Sequence, residues 1–142
     1  MDNLADLTGK TLGKYRILKR LGRGGMAEVY QAHQTTLDRL VALKVILPFL
    51  TSDPDFLKRF EREAKNVAAL RHPNIIQVFD FDVENGLPYM VMEYVEGDTL
   101  KGLLEKMARR GQPLPLAQAV RLAREIGQAL GFAHKQGVIH RD

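Results

Sequence analysis

Cysteine is absent from the 142 residues, which excludes disulfide staples, thiol nucleophiles and cysteine metal ligands and accords with a cytoplasmic location. Long apolar runs are absent too, none reaching the ~18 residues of a membrane span. The start, Met1-Asp2-Asn3-Leu4-Ala5-Asp6, is acidic and lacks the basic and apolar regions of a signal peptide. Basic residues exceed acidic ones by only 21 − 17 = 4. The mild excess between Lys10 and Arg23 comes without interleaved aromatics, so nucleic acid is not an expected partner. His33, His72 and His134 are not spaced as metal ligands. What remains is the composition of an ordinary globular chain, 45% apolar and 27% charged.

Against that background one stretch stands out, Leu21-Gly22-Arg23-Gly24-Gly25-Met26-Ala27-Glu28-Val29-Tyr30. Its clustered glycines form a backbone that a ligand can approach closely. A little further on, Val41-Ala42-Leu43-Lys44 puts one cation in an apolar run from Leu40 to Leu47. Together they point to a bound polyphosphate. Gly9-Lys10-Thr11 mimics the end of a Walker A loop, but the pattern requires a glycine where Leu4 stands and a preceding buried strand.

Taken in order, residues 1–13 read as a polar leader. Tyr15 to Leu21 and Glu28 to Ala32 read as two strands of a hairpin with the glycines between them. That context excludes a dinucleotide-binding G-x-G-x-x-G, which must open a helix. Leu40 to Leu47 is a third, buried strand. Ser52-Asp53-Pro54 supplies a cap and a first-turn proline for a helix, on which Phe56, Phe60, Glu63, Val67 and Leu70 fall within roughly 80° of one another. Ile75 to Asp82 and Leu87 to Val95 form two further strands around the turn Glu84-Asn85-Gly86. A helix of about ten residues starts near Thr99 with Asp98 as candidate cap, and Gly111 to Pro115 links it to a last helix over 116–135. Ala123, Gly127 and Gly131 repeat every four positions on that helix, favouring close core packing, and Gly137 stops it.

Lys44 and Glu63 are each the lone charge on an apolar surface, and each costs several kcal/mol to desolvate alone, so the spacing predicts that they pair. The pair is either purely architectural or a means of holding the lysine for use.

The glycine loop, V-A-L-K, a helix carrying Glu63 and a terminal His140-Arg141-Asp142 occur in fixed order. With L-G-R-G-G-M-A-E-V-Y, F-E-R-E-A, L-R-H-P-N-I-I and V-M-E-Y-V-E-G, the chain resembles the first half of a eukaryotic-type protein kinase domain of the bacterial serine/threonine kind, from Tyr15 onward. The resemblance implies an α+β fold. Residues 14–95 would be an N-lobe of five antiparallel strands with one helix, and residues 96–142 the first helices of an incomplete C-lobe, with a nucleotide cleft between them.

It further implies that Leu21, Gly22, Gly24 and Gly25 lie over the phosphates of ATP, that Lys44 contacts the α and β phosphates, and that Glu63 orients Lys44. Val29 and Ala42 would wall the adenine, Met92 would be the gatekeeper, and the backbone of Glu93 and Val95 would be the hinge. Taken without the family, Met92 and Val95 are ordinary strand core and His140 a packed histidine. Asp142 would be the catalytic-loop aspartate that receives or orients the substrate hydroxyl proton. Partners implied are ATP, protein substrates and a second kinase in a dimer. A membrane anchor further along the complete protein is compatible with such kinases.

The catalytic-loop asparagine and the D-F-G aspartate that hold Mg2+ are not in the sequence, so the 142-residue piece is expected to be inactive, as a fragment of an active kinase. The alternative is a naturally truncated nucleotide-binding or regulatory module.

Overall fold

The computed structural model describes residues 5–140. The elements in order are β1 (Thr11–Leu12), β2 (Tyr15–Arg23), β3 (Ala27–Gln34), β4 (Arg39–Ile46), α1 (Pro48–Thr51), α2 (Pro54–Ala68), β5 (Val78–Glu84), β6 (Leu87–Glu93), α3 (Leu100–Arg109) and α4 (Leu116–Lys135). They divide into two compact units, residues 1–71 with 76–94 and residues 72–75 with 95–142.

The first unit is an antiparallel sheet in the order β1-β2-β3-β4-β6-β5. Five of these strands are the expected ones, and the sixth is the two-residue β1. The segment read as a polar leader thus does more than lead in: Leu7 and Leu12 are buried in the sheet's main core. The turn from β1 to β2 demands glycine twice over. Gly13 has φ +54°, and a Cβ there would meet Tyr89 Oη at 2.8 Å. Asn85 and Gly86, with φ of 51° and 76°, make the turn between β5 and β6, as the sequence led us to expect.

Strand side chains alternate between faces, and the two faces of this sheet are covered differently. On one, Tyr15, Ile17, Tyr30, Val41, Leu43, Val45, Tyr89 and Val91 form the main core. On the other, Val78, Met90 and Met92 pack with Phe60, Ala64, Val67 and Ala68 of α2. Asp53 caps α2 as expected, its side chain accepting from the Asp55 amide at 2.9 Å, with Pro54 in the first turn.

In the second unit, α3 is capped by Thr99, whose hydroxyl accepts from the Gly102 amide at 3.0 Å. This corrects the assignment of the cap to Asp98, which instead pairs with Lys106 at 2.6 Å. The helix starts one residue later than that reading requires, so the cap moves by one. α4 ends with Val138 N donating to Ala133 O at 2.9 Å and Gly137 N to His134 O at 3.0 Å, the doubly bonded stop anticipated at Gly137. Close core packing of the small-residue stripe is not found. Ala123 and Gly127 are exposed, as are Leu116, Val120, Ile126 and Leu130. His72 and Phe132 rings lie 5.2 Å apart within this unit.

Candidate functional site

Ladder partners share a face, so register assembles the site from the strands. Gly22 pairs with Val29, Val29 with Lys44 and Lys44 with Met90. These residues form one row across β2, β3, β4 and β6. The adjacent row is Gln31, Ala42 and Met92. Both rows lie on the face that includes Met90 and Met92, not on the Leu43 face. Four residues singled out in the sequence, Val29, Ala42, Lys44 and Met92, are thereby brought together on one surface beside the glycine loop.

Lys44 is half-buried. Among the described residues its ammonium has neither an ion-pair nor a hydrogen-bond partner. A lysine whose stem is packed among apolar strand residues while its ammonium pairs with no carboxylate is open to an anion from outside the chain.

The loop itself closes by a hydrogen bond from Gly24 N to Ala27 O at 2.8 Å. None of Gly22, Gly24 and Gly25 has a positive φ. A Cβ on Gly22 or Gly25 would meet nothing within 4 Å, and one on Gly24 would make an ordinary contact of 3.6 Å. Neither backbone conformation nor crowding within the chain therefore calls for glycine at these three positions. Leu21 occupies an irregularity in the ladder between Arg20 and Gly22 and is exposed.

The expected Lys44–Glu63 ion pair is not formed. Glu63 is exposed, and no contact joins it to Lys44. The predicted stripe counts Phe56 and Leu70 and leaves out Ala64 and Ala68; the helix ends at Ala68, with Leu70 buried beyond its cap. The residues that meet the sheet are Phe60, Ala64, Val67 and Ala68. At 100° per residue, Glu63 lies roughly 85° from their mean direction, on the rim of the helix.

Met92 is half-buried in the α2 cluster. Glu93 is exposed at the end of β6. Its amide donates to Gln77 O at 2.8 Å, and its carboxylate accepts from Gln77 N at 3.2 Å. Val95 is exposed and belongs to the second unit. Asp142 lies outside the described residues.

One charged residue of the loop hairpin escaped the sequence reading. Glu28 is fully buried. Tyr30 Oη donates to its Oε2, Arg20 Nη1 lies 3.8 Å from the same oxygen, and Arg23 Nε lies 3.3 Å from Oε1. Burial, and then the bond to Glu28, push the Tyr30 phenol up to about 12. The available signal was a carboxylate inside a β-prone run with arginines on the facing strand.

A family model described as a protein kinase domain matches residues 15–142. The chain belongs to the protein kinase family. Among curated relatives it is 42% identical over 137 residues to the serine/threonine-protein kinase PrkC of Bacillus subtilis, covering 96% of this chain and 20% of that protein. It is 44% identical over 133 residues to the serine/threonine-protein kinase PknB of Mycobacterium leprae, covering 91% of this chain and 21% of that one. The chain thus spans about a fifth of the length of these kinases. Among solved structures, the PknI kinase domain of Mycobacterium tuberculosis matches with a TM-score of 0.80 at 33% identity, over 98% of this chain and 56% of that one. The kinase fold expected from the motifs, an antiparallel sheet with one packed helix followed by further helices, is the fold observed. No helix among the described residues is long and apolar enough to cross a membrane.

Proposed function

We propose that this chain is the nucleotide-binding portion of a serine/threonine protein kinase that transfers the γ-phosphoryl group of ATP to protein hydroxyls. The single observation that carries the reading is the row of Gly22, Val29 and Lys44, a half-buried lysine with no ion pair among the described residues. Phosphate is the anion that fits. The loop beside Lys44 offers bare main chain at positions where the fold itself has no need of glycine, and a ligand approaching the backbone supplies that need.

In this reading Leu21, Gly22, Gly24 and Gly25 lie over the phosphates, Lys44 contacts the α and β phosphates, and Val29, Ala42 and Met92 line the adenine. Glu93 already commits its amide to Gln77, so any adenine contact from Glu93 falls to its carbonyl, with Val95 as the other hinge residue. Mg2+ neutralises charge on the phosphates when bound. Asp142 receives or orients the hydroxyl proton of the protein substrate. Glu63 is the residue that orients Lys44 in the working state, a pairing that kinases of this family must form for activity. Here it stands on the rim of α2, and rotation of that helix about its axis is what would bring it inward. The 142 residues alone are not expected to catalyse transfer, since the metal ligands are not among them.

Titration calorimetry of ATP onto the complete protein tests this. Lys44→Met is expected to weaken ATP at least about tenfold, the equivalent of ~1.4 kcal/mol. Unchanged ATP binding would overturn the assignment.

A further inference from the structure

The glycine hairpin has a built back side. Arg20 and Arg23 are three apart on one strand, so in a regular ladder they would point to opposite faces. The ladder is not regular. Arg20 pairs with Tyr30, and the next pairs are Gly22 with Val29 and Arg23 with Glu28, leaving Leu21 as an extra residue. This bulge re-aims the strand. Both arginines now share a face with Glu28 and Tyr30, and Gly22 falls into the row of Val29 and Lys44. Without the extra residue Gly22 would sit opposite Glu28, and the lysine row would lose its glycine.

The bulged register is the one in which both guanidinium groups reach the same carboxylate. Glu28 is fully buried, while its two arginines are close to half exposed, at 41% and 45%. Tyr30 Oη, itself accepting from the Leu7 amide at 3.4 Å, ties the carboxylate to the chain before β1. Among the described residues Oε1 has no hydrogen bond, although Arg23 Nε lies 3.3 Å away. A buried carboxylate oxygen held by charge alone is a costly feature that a purely architectural hairpin does not need, since apolar residues of similar volume serve stability as well or better.

We propose that Glu28 is a positioning residue for ATP: through Arg20 and Arg23 it holds the bulged register of β2 from the side opposite the lysine row, and so fixes the glycine loop over the phosphates without touching them. Arg23, though it stands between Gly22 and Gly24, is on this account a strut and not a phosphate ligand. The inference rests on the proposed ATP site and adds to it a residue on the other face of the sheet.

The test is nucleotide binding by the complete protein, with ATP and adenosine as probes and thermal melts run alongside. Glu28→Gln keeps the shape and the bond to Tyr30 but loses the charge. It is expected to weaken ATP about tenfold while leaving adenosine within about twofold, because adenosine has no phosphates for the loop to cover, and to lower the melt as the register loosens. Arg23→Gln should weaken ATP similarly, and the double variant should be no worse than either single one. Equal loss of ATP and adenosine would mark Glu28 as merely structural and overturn the proposal. So would additive losses in the double variant, which would make Arg23 a phosphate contact. If Lys44→Met abolishes ATP binding while Glu28→Gln leaves it intact, this inference alone fails. If the unmodified protein binds no ATP, the proposed site fails and takes the inference with it.

Discussion

Lys44 stands directly opposite Val29 on one side and Met90 on the other, in a row that begins at Gly22. One flexible cation is thereby held between apolar neighbours at the edge of a glycine loop. In the proposed ATP site the neighbours matter as much as the charge, because a flat base would lie against them. Val29→Ala removes two methyl groups from it, roughly 1 kcal/mol of apolar contact, and should weaken ATP about three- to tenfold in a binding titration. No change in ATP affinity would mean that Val29 does not border the base.

Glu63 provides a sharper separation of stability from activity. It is exposed on the rim of α2 and makes no ion pair with Lys44 in this structure. Glu63→Gln should therefore leave the denaturant midpoint within about 0.5 kcal/mol of the parent. Leu43→Ala, at a fully buried position, should cost about 2–5 kcal/mol. If Glu63 orients Lys44 in the working state, Glu63→Gln will nevertheless lower phosphoryl transfer by the complete protein at least about tenfold. Full activity in that variant would remove Glu63 from the machinery.

Alkaline pH should unfold the first unit. Burial raises the Tyr15 and Tyr89 phenols above their usual value, and burial with the Glu28 bond pushes Tyr30 up to about 12. A tyrosine whose pKa is raised in the folded state holds its proton longer folded than unfolded, so its contribution is complete below pH ~10 and is lost as pH rises towards 12. The melting temperature should fall steeply across that window, with phenolate absorbance appearing together with unfolding. Phenolate appearing near pH 10 in a protein that stays folded would contradict the burial of these rings.

The helical unit makes a different prediction. Leu116 is 79% exposed and Val120 59%, on the same helix as the exposed Ile126 and Leu130. An apolar face of this kind promotes association. The 142-residue polypeptide on its own should self-associate in sedimentation experiments, and Leu116→Lys with Val120→Lys should reduce the effect. A monodisperse monomer at high concentration would count against it.

How much of this was legible in the sequence follows from the range of each signal. Strands β2 to β6 could be read because alternation and the Asn85-Gly86 turn are local, and the cap of α2 because Asp53-Pro54 is local too. The leader was misread because Leu7 and Leu12 are isolated apolar residues, whose burial depends on a sheet edge supplied by Tyr15 and Arg16. The Lys44–Glu63 pair is a long-range expectation drawn from helical phase, and phase depends on which residues pack; Ala64 and Ala68, too small to stand out in the sequence, carry the packed face round the helix and leave Glu63 on its rim. Glu28 stayed hidden because its arginines reach it through a bulge, and a one-residue bulge has no signature in a strand that alternates before and after it. The motifs led to the lysine row more reliably than periodicity did, since they carry order and spacing over the whole chain.

The most direct measurement is transfer of labelled γ-phosphate by the complete protein, comparing the parent with Lys44→Met at equal stability. Methionine keeps an unbranched apolar stem of nearly the same length and removes the ammonium with its charge and its donors. If Lys44 is the cation that meets the phosphates of ATP, autophosphorylation should fall by at least about a hundredfold. Activity near that of the parent would contradict the account of the lysine row.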